Sequence, residues 1–327
     1  MDITVIVPCY NSEKTLDKCL QSLISQTLQV KIFIINDGSE DRTLAIAQKY
    51  ELQYKNITVF SHNNRGLPQT RKAGLSHVTT KYTAFVDSDD WVEPDMMEVL
   101  FNLSEHYDAE ISVCGATTSG HEPSKHSTGP ICMSGSEALR IIHQRSGIGP
   151  FMWNKLFLTD CLRKFTFPEE NLIGEDYTTL LSYIEDVERI VWIQKPLYHY
   201  IQYFGSMSHT GYGVLQRKSY ENYRRIYENA CNLKNEAYLC DMAEYMCVEL
   251  LGLYIAMIRN NCWDTEASEY MAAFFKAHLT SFMKSKQSTV YRIAVWMIVY
   301  MPGFFRILYK LYMLTFYRIY YSKYYSK

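Results

Sequence analysis

Short runs of β-branched and apolar residues recur through the first 115 positions, and most are followed by a segment with helical periodicity. Ile3 to Pro8 is the first run. An Asn11-Ser12 cap then precedes Leu16, Cys19, Leu20, Leu23 and Ile24 at helical spacing. Lys31 to Asn36 is the next strand, with Asp37-Gly-Ser39 as turn and cap before the helical Leu44 to Tyr50. Ile57 to Phe60 precedes a helix from Gly66 to Val78, and Tyr82 to Val86 ends at an acidic turn. Pro94 suits the first turn of a helix through about residue 106, and Glu110 to Cys114 is a fifth strand. Strands apolar on both faces and separated by helices require a sheet covered on both sides. The expected fold class is therefore α/β: a Rossmann-like, mostly parallel sheet followed by a helical C-terminal region.

In such sheets ligands bind beyond the carboxyl ends of the strands. Three polar stretches fall there: Pro8-Cys-Tyr-Asn11, Asn36-Asp-Gly-Ser39 and Asp87-Ser-Asp-Asp90. They are expected to converge on one crevice.

Downstream, residues 117–135 turn polar and rich in Gly, Ser and His, which reads as a long loop or irregular hairpin, and 136–145 look helical. Phe151 to Phe157 is an apolar segment carrying one lysine. Gly174 to Tyr183 opens a helix, while Arg189 to Ile193 and Leu197 to Tyr200 look like closing strands. Beyond about 214 the pattern is helical. The division expected is a first region over 1–213, in two halves at 1–115 and 116–213. A helical region at 214–283 and basic, aromatic amphipathic helices at 284–327 follow.

Like charges as close as Asp87, Asp89 and Asp90 repel unless something positive sits among them. A strand followed by Asp-x-Asp fits a hard divalent cation held by few carboxylates and completed by phosphate oxygens. An Asp-rich turn that caps a helix is the competing reading, and Asp90 is its best candidate. Asp37 is open in the same way, as a cap before the 40s helix or as an acceptor for a base N–H.

The ordered set "VIVPCYNSEKTLDKCLQSL", "FIINDGSEDRT", "NNRGLPQTRKAGL", "FVDSDDWVEPD", "WNKLF" and "IGEDYTTLL" resembles the family 2 glycosyltransferases, inverting enzymes with the A-type nucleotide-sugar fold, of the bacterial surface-polysaccharide type. The likeness covers roughly residues 1–210 and implies a catalytic region over 1–213, with 1–115 as its nucleotide-binding half and 116–213 as its acceptor half. It implies that Pro8, Tyr10 and Asn11 line the nucleotide pocket, that Asp37 contacts the base, usually uracil, and that Arg71 lies near the nucleotide or its phosphates. It further implies that Asp87 contacts ribose or metal, with Ser88 in the same turn among the nucleotide contacts. Asp89 is then the main protein ligand of Mn²⁺ or Mg²⁺, and Asp176 is the general base. Glu175 is the alternative base, although its side chain is expected to point elsewhere. Lys155 would meet the diphosphate or orient the acceptor, against the plain reading of a surface lysine. Trp153 would be an acceptor platform, against that of a buried aromatic. The chain departs from the family where Ile201 and Tyr203 stand in place of basic residues. His209 would then be a third metal ligand or phosphate contact, or a solvated surface histidine.

The formal charge of −2 conceals an asymmetry. From 281 onward Lys284, Lys286, Arg292, Arg306, Lys310, Arg318, Lys323 and Lys327 occur with no Asp or Glu, among many of the chain's 27 tyrosines. Basic and aromatic residues together suit nucleic acid or a membrane interface. The aliphatic content favours lipid, so no nucleic-acid partner is expected. A packed or oligomerising helical pair, and hence a homo-oligomer, is the competing reading. The longest apolar stretch, Ile293 to Phe305, is short for a span and is interrupted by Pro302-Gly303. Nine cysteines without CxxC spacing and the absence of a signal-peptide pattern point to reduced cytoplasmic thiols. The expected protein is peripheral on the inner face of the cell membrane. It would pass a sugar from a nucleotide-sugar donor, UDP-linked by preference, to a lipid-linked glycan. A polyprenyl-phosphate sugar synthase and a non-catalytic sugar-nucleotide or glycan-binding scaffold are the rivals.

Overall fold

The computed structural model describes residues 1–118, 129–201, 212–232 and 236–313. Two compact units divide the chain, Met1–Ile142 with Gly147–Gln202, and His143–Ser146 with Tyr203–Lys327.

In the first unit β1 (Ile3–Cys9), α1 (Leu16–Ile24), β2 (Lys31–Asp37), α2 (Thr43–Gln53), β3 (Ile57–His62), α3 (Leu67–Ser76) and β4 (Tyr82–Phe85) alternate as the hydrophobic pattern predicts. β5 (Trp91–Val92), α4 (Met96–Tyr107), β6 (Ile111–Thr118), β7 (Ile131–Met133), α5 (Gly135–His143), β8 (Lys155–Leu158), α6 (Thr159–Leu162), α7 (Glu175–Leu181) and β9 (Ile190–Tyr200) follow. The strands run β3-β2-β1-β4-β8-β6-β9-β5, with β7 also on β9. β1 to β4 are mutually parallel, and every residue of β1 is buried. β8 is antiparallel between β4 and β6, so the sheet is mixed beyond β4.

Close packing of α3 on the sheet aims its side chains. A Cβ at Gly74 would stand 2.6 Å from Ile6 and 3.0 Å from Ile35, so this turn of helix lies nearly against the strands. Arg71, about one turn earlier, is carried to the carboxyl edge of β4.

Several local expectations need correction. The two closing strands are one continuous β9, paired in parallel with β6 through a register shift at Gly115. Asp90 caps no helix: its carboxylate accepts from Ile201 N (2.7 Å) and Tyr198 Oη (2.7 Å). Asp37 does not cap the 40s helix either. Asp41 lies in the turn before that helix and accepts from Thr43 N at 2.9 Å.

The second unit contains α8 (Val214–Cys231), α9 (Glu236–Arg259), α10 (Thr265–Lys284), α11 (Thr289–Tyr300) and α12 (Pro302–Tyr312). Asp264 caps α10 by accepting from Ala267 N and pairs with Arg217 at 2.5 Å. Among the described residues no helix is long and apolar enough to cross a membrane. His209 and residues 314–327 of the basic tail lie outside the described residues.

Candidate active site

The carboxyl ends of β1, β2 and β4 supply the first half of the site. After β1 the chain turns through Asn11 in the left-handed region (φ 48°). That turn is held by Asn11 N to Ser39 Oγ (3.0 Å) and Glu40 N to Asn11 Oδ1 (2.9 Å). Pro8 is buried, whereas Tyr10 is 49% exposed. Ser12 Oγ lies 2.7 Å from Ser88 Oγ, which ties the β1 turn to the β4 turn. Asp37, at the end of β2, accepts from Arg65 N (2.7 Å) and Gly66 N (3.0 Å) and approaches His62 Nδ1 at 3.3 Å. It therefore orders the entry to α3, where Gly66 has φ 85°, a conformation that favours glycine.

Arg71 is the electrostatic centre. It is 2% exposed, and it donates to Asp176 Oδ1 at 2.5 Å and to Asp87 Oδ1 at 2.9 Å. Glu175 Oε1 stands 3.9 Å from the same guanidinium, so Glu175 shares Arg71 with Asp176, contrary to the expectation from sequence. Burial and the neighbouring Asp176 charge push Glu175 up. Burial also raises Asp87, opposed by Arg71 and reinforced by Asp176. Arg71 is thus committed to carboxylates in this state.

Asp89 contrasts with them. Burial and the Asp87 charge push it up to about 6, and no ion pair reaches it among the described residues. Burial, with Asp87 and Asp89 adding to it, drives Asp90 to about 8. No group of three or more His, Cys, Asp or Glu side chains that could cage an ion occurs among the described residues. The donor set nevertheless suits a hard divalent cation, which takes one or two carboxylates and fills its shell with water and phosphate. Asp89, unpaired in charge and all oxygen, fits that role, with Asp87 beside it.

From the other side comes the strap 149–154. Met152 N donates to Asp176 Oδ2 at 3.0 Å, so both carboxylate oxygens of Asp176 are engaged. Lys155 is 2% exposed and donates to Phe151 O (2.6 Å), Asn154 Oδ1 (2.9 Å) and Gly149 O (3.1 Å). Lys155 is thus not the surface lysine of the plain reading, and its three donors are spent on the strap. Burial pushes it down to about 7, yet three acceptors need three N–H donors, which only the charged ammonium has. Trp153 is the buried aromatic of the two alternatives, 6% exposed and stacked between Phe151 (4.6 Å) and Tyr198 (4.4 Å).

Sequence reasoning missed Tyr198. Its hydroxyl donates to Asp90 and accepts from Asp87 N at 3.2 Å, fixing the acidic turn from β9. Its only trace in the sequence is a tyrosine on a strand. Cys9 and Cys19 are buried near these acids, and burial drives both thiols well up.

Residues 4–158 match the family model described as glycosyl transferase family 2. Over those residues the chain carries a family 2 glycosyltransferase domain. Among curated relatives, glycosyltransferase GlyA of Streptococcus pneumoniae is 42% identical over 34% of this transferase and 16% of its own length. The cholesterol galactosyltransferase of Borreliella burgdorferi is 30% identical over 63% of this chain and 62% of its own. The transferase thus spans less than two thirds of either relative. Among solved structures, S. aureus TarS 1–349 in complex with UDP-GlcNAc superposes with a TM-score of 0.65 at 21% identity, covering 86% of this chain and 82% of that one. The Pyrobaculum calidifontis mannosyltransferase PcManGT, in complex with GDP-Man and Mn²⁺, gives 0.51 at 14%, covering 96% and 87%. These likenesses establish the A-type glycosyltransferase fold. The family match ends before Asp176 and includes its partner Arg71.

Proposed function

We propose that this glycosyltransferase moves a sugar from a nucleotide-sugar, UDP-linked by preference, to a hydroxyl of a lipid-linked saccharide, with inversion at the anomeric carbon. The observation that carries the reading is the Arg71 bridge, in which one buried guanidinium joins Asp87, at the end of β4, to Asp176, at the start of α7. The β4 side of the bridge belongs to the crevice where α/β sheets take nucleotides.

In this reading the turns of Pro8, Tyr10 and Asn11, with Ser88, form the nucleotide wall, and Asp37 orders the loop at 65–66 beside the base. Asp89, with Asp87, would hold Mn²⁺ or Mg²⁺, an ion that stabilises negative charge on a departing diphosphate. Asp176 accepts the proton of the attacking hydroxyl. Its carboxylate is oriented from two sides, by Arg71 and by the Met152 amide. The strap held by Lys155 keeps that amide in place, and Arg71 stays with the carboxylates as the proton moves.

Attachment to the inner face of the cell membrane is part of the proposal. α11 and α12 expose Ile293, Trp296, Phe304, Ile307, Leu308 and Leu311, each 41–61%. The helices carry Arg292, Arg306 and Lys310 without an acidic residue, which suits anionic lipid headgroups. The nine unpaired cysteines suit a reducing compartment.

The deciding test is calorimetric titration of UDP, GDP and dTDP, with and without Mn²⁺, into the intact protein and Asp89→Ala. Metal-dependent binding of UDP that disappears in the variant is expected. A folded protein that binds none of the three would remove the donor-site assignment.

A further inference from the structure

The strap that presents Met152 to Asp176 also presents an aromatic ring to solvent. Phe151 is 41% exposed, although it belongs to a stack of rings that is otherwise largely covered. Its ring lies parallel to Trp153, with centroids 4.6 Å apart and planes at 12°. Trp153 in turn stacks on Tyr198 (4.4 Å, 23°) and on Tyr200 (5.7 Å, 5°). A large ring stacked on a packed neighbour and still 41% exposed is positioned for something flat to lie on it.

Three further features hold that ring still. The carbonyl of Phe151 accepts from Lys155 Nζ at 2.6 Å, and the next residue's amide is fixed on Asp176. A Cβ at Gly149 would fall 2.5 Å from the Phe151 ring carbons, so the Gly149 backbone packs close against the ring. Immobilising an exposed aromatic before its ligand arrives lowers the conformational cost of binding.

The geometry points to Phe151 as the platform for the pyranose ring of the acceptor saccharide. This rests on the proposed transferase reading, in which the acceptor hydroxyl must reach Asp176. The C–H face of a pyranose is weakly positive and apolar, and the face of an aromatic ring carries the negative side of its quadrupole. A sugar stacked on Phe151 sits one residue from the amide that orients Asp176. The role expected of Trp153 passes to Phe151, because Trp153 is the buried support of the stack and Phe151 is its open end.

Saturation-transfer NMR on the full chain tests this without requiring turnover. The probes are methyl β-D-glucopyranoside, methyl β-D-galactopyranoside and the methyl glycoside of N-acetylglucosamine. Transfer to the ring C–H protons of at least one probe is expected in the wild type. It should fall by about fivefold in Phe151→Ala and be retained in Phe151→Trp, in line with the modest energy of one aromatic stack. Equal transfer in wild type and Phe151→Ala, loss in both variants, or no transfer to any probe in the wild type overturns the assignment. UDP calorimetry on the same samples keeps the two readings apart. A protein that binds the glycosides through Phe151 but binds no nucleotide contradicts the donor reading alone, and one that binds UDP but not the glycosides contradicts the platform alone.

Discussion

Replacing Asp176 with asparagine keeps the shape of the side chain and exchanges one oxygen for an NH₂ group. In the wild type both oxygens accept, Oδ1 from Arg71 and Oδ2 from Met152 N. An amide has one acceptor oxygen, so its NH₂ must face either the guanidinium or the backbone N–H, donor against donor. Losing a charge-assisted hydrogen bond and blocking a donor together cost roughly 2–4 kcal/mol of stability. Arg71 is not orphaned, because Asp87 stays at 2.9 Å and Glu175 is available at 3.9 Å, so the fold is expected to survive. Turnover should fare worse: removing a positioned general base lowers kcat by about 10²–10⁴. The assay is UDP release from UDP-glucose, UDP-galactose and UDP-N-acetylglucosamine with a bacterial lipid extract as acceptor, alongside calorimetric UDP binding. The expected result is lost release with UDP binding unchanged, and Glu175→Gln should retain most activity. If Asp176→Asn keeps kcat within about threefold of the wild type while Glu175→Gln abolishes it, the base has been assigned to the wrong carboxylate.

Burial between the rings of Tyr238 and Tyr245 pushes His143 down to about 4 from 6.5. The unfolded chain takes up the proton first as pH falls, so this contribution is intact above pH ~6.5 and is lost toward pH ~4. Urea unfolding should show the wild type losing about 2 kcal/mol more between pH 7 and pH 5 than His143→Phe, and parallel losses would contradict it. Gly135→Ala places a Cβ 1.6 Å from the Ile184 carbonyl oxygen, and the backbone shift this forces should cost about 2–3 kcal/mol in the same assay. Vesicle co-sedimentation tests the exposed face of α12. Ile307→Ser with Leu311→Ser removes two side chains that are 61% and 53% exposed, and should weaken partitioning into anionic vesicles by about 10-fold or more without lowering stability.

Of the four parallel strands, β1 and β4 were legible because strands buried on both faces are mainly apolar, and both are fully buried, whereas the edge strand β3 is only partly covered. The mixed half of the sheet was not legible by the same rule. β8 opens with Lys155, whose buried charge breaks the apolar signal and is satisfied only by carbonyls of the preceding strap. β9 read as two strands because Pro196 interrupts it. The fold accommodates that proline where the register with β6 shifts at Gly115, the glycine whose Cβ would strike Gln194 O at 2.5 Å. The acids were recognisable as a group, but their individual partners were not. Asp37 meets Arg65 and Gly66, and Asp90 meets Tyr198 and Ile201. Those pairings are made by the tertiary fold, and no local spacing encodes them. The exposed end of the aromatic stack was hidden for a related reason, since the pattern around Trp153 does not say which ring faces water.

The Arg71 bridge also limits how this transferase can be re-engineered. Arg71 and Asp87 fall within the segment matching the family model, and Asp176 lies beyond it. A chimera that joins another enzyme's later segment to residues 4–158 of this chain must therefore bring a carboxylate to the same guanidinium. A graft that fails to do so leaves a buried cation short of one counter-charge at the seam. The natural place to cut is downstream of α7, so that Arg71, Asp87, the strap and Asp176 travel as one inherited block.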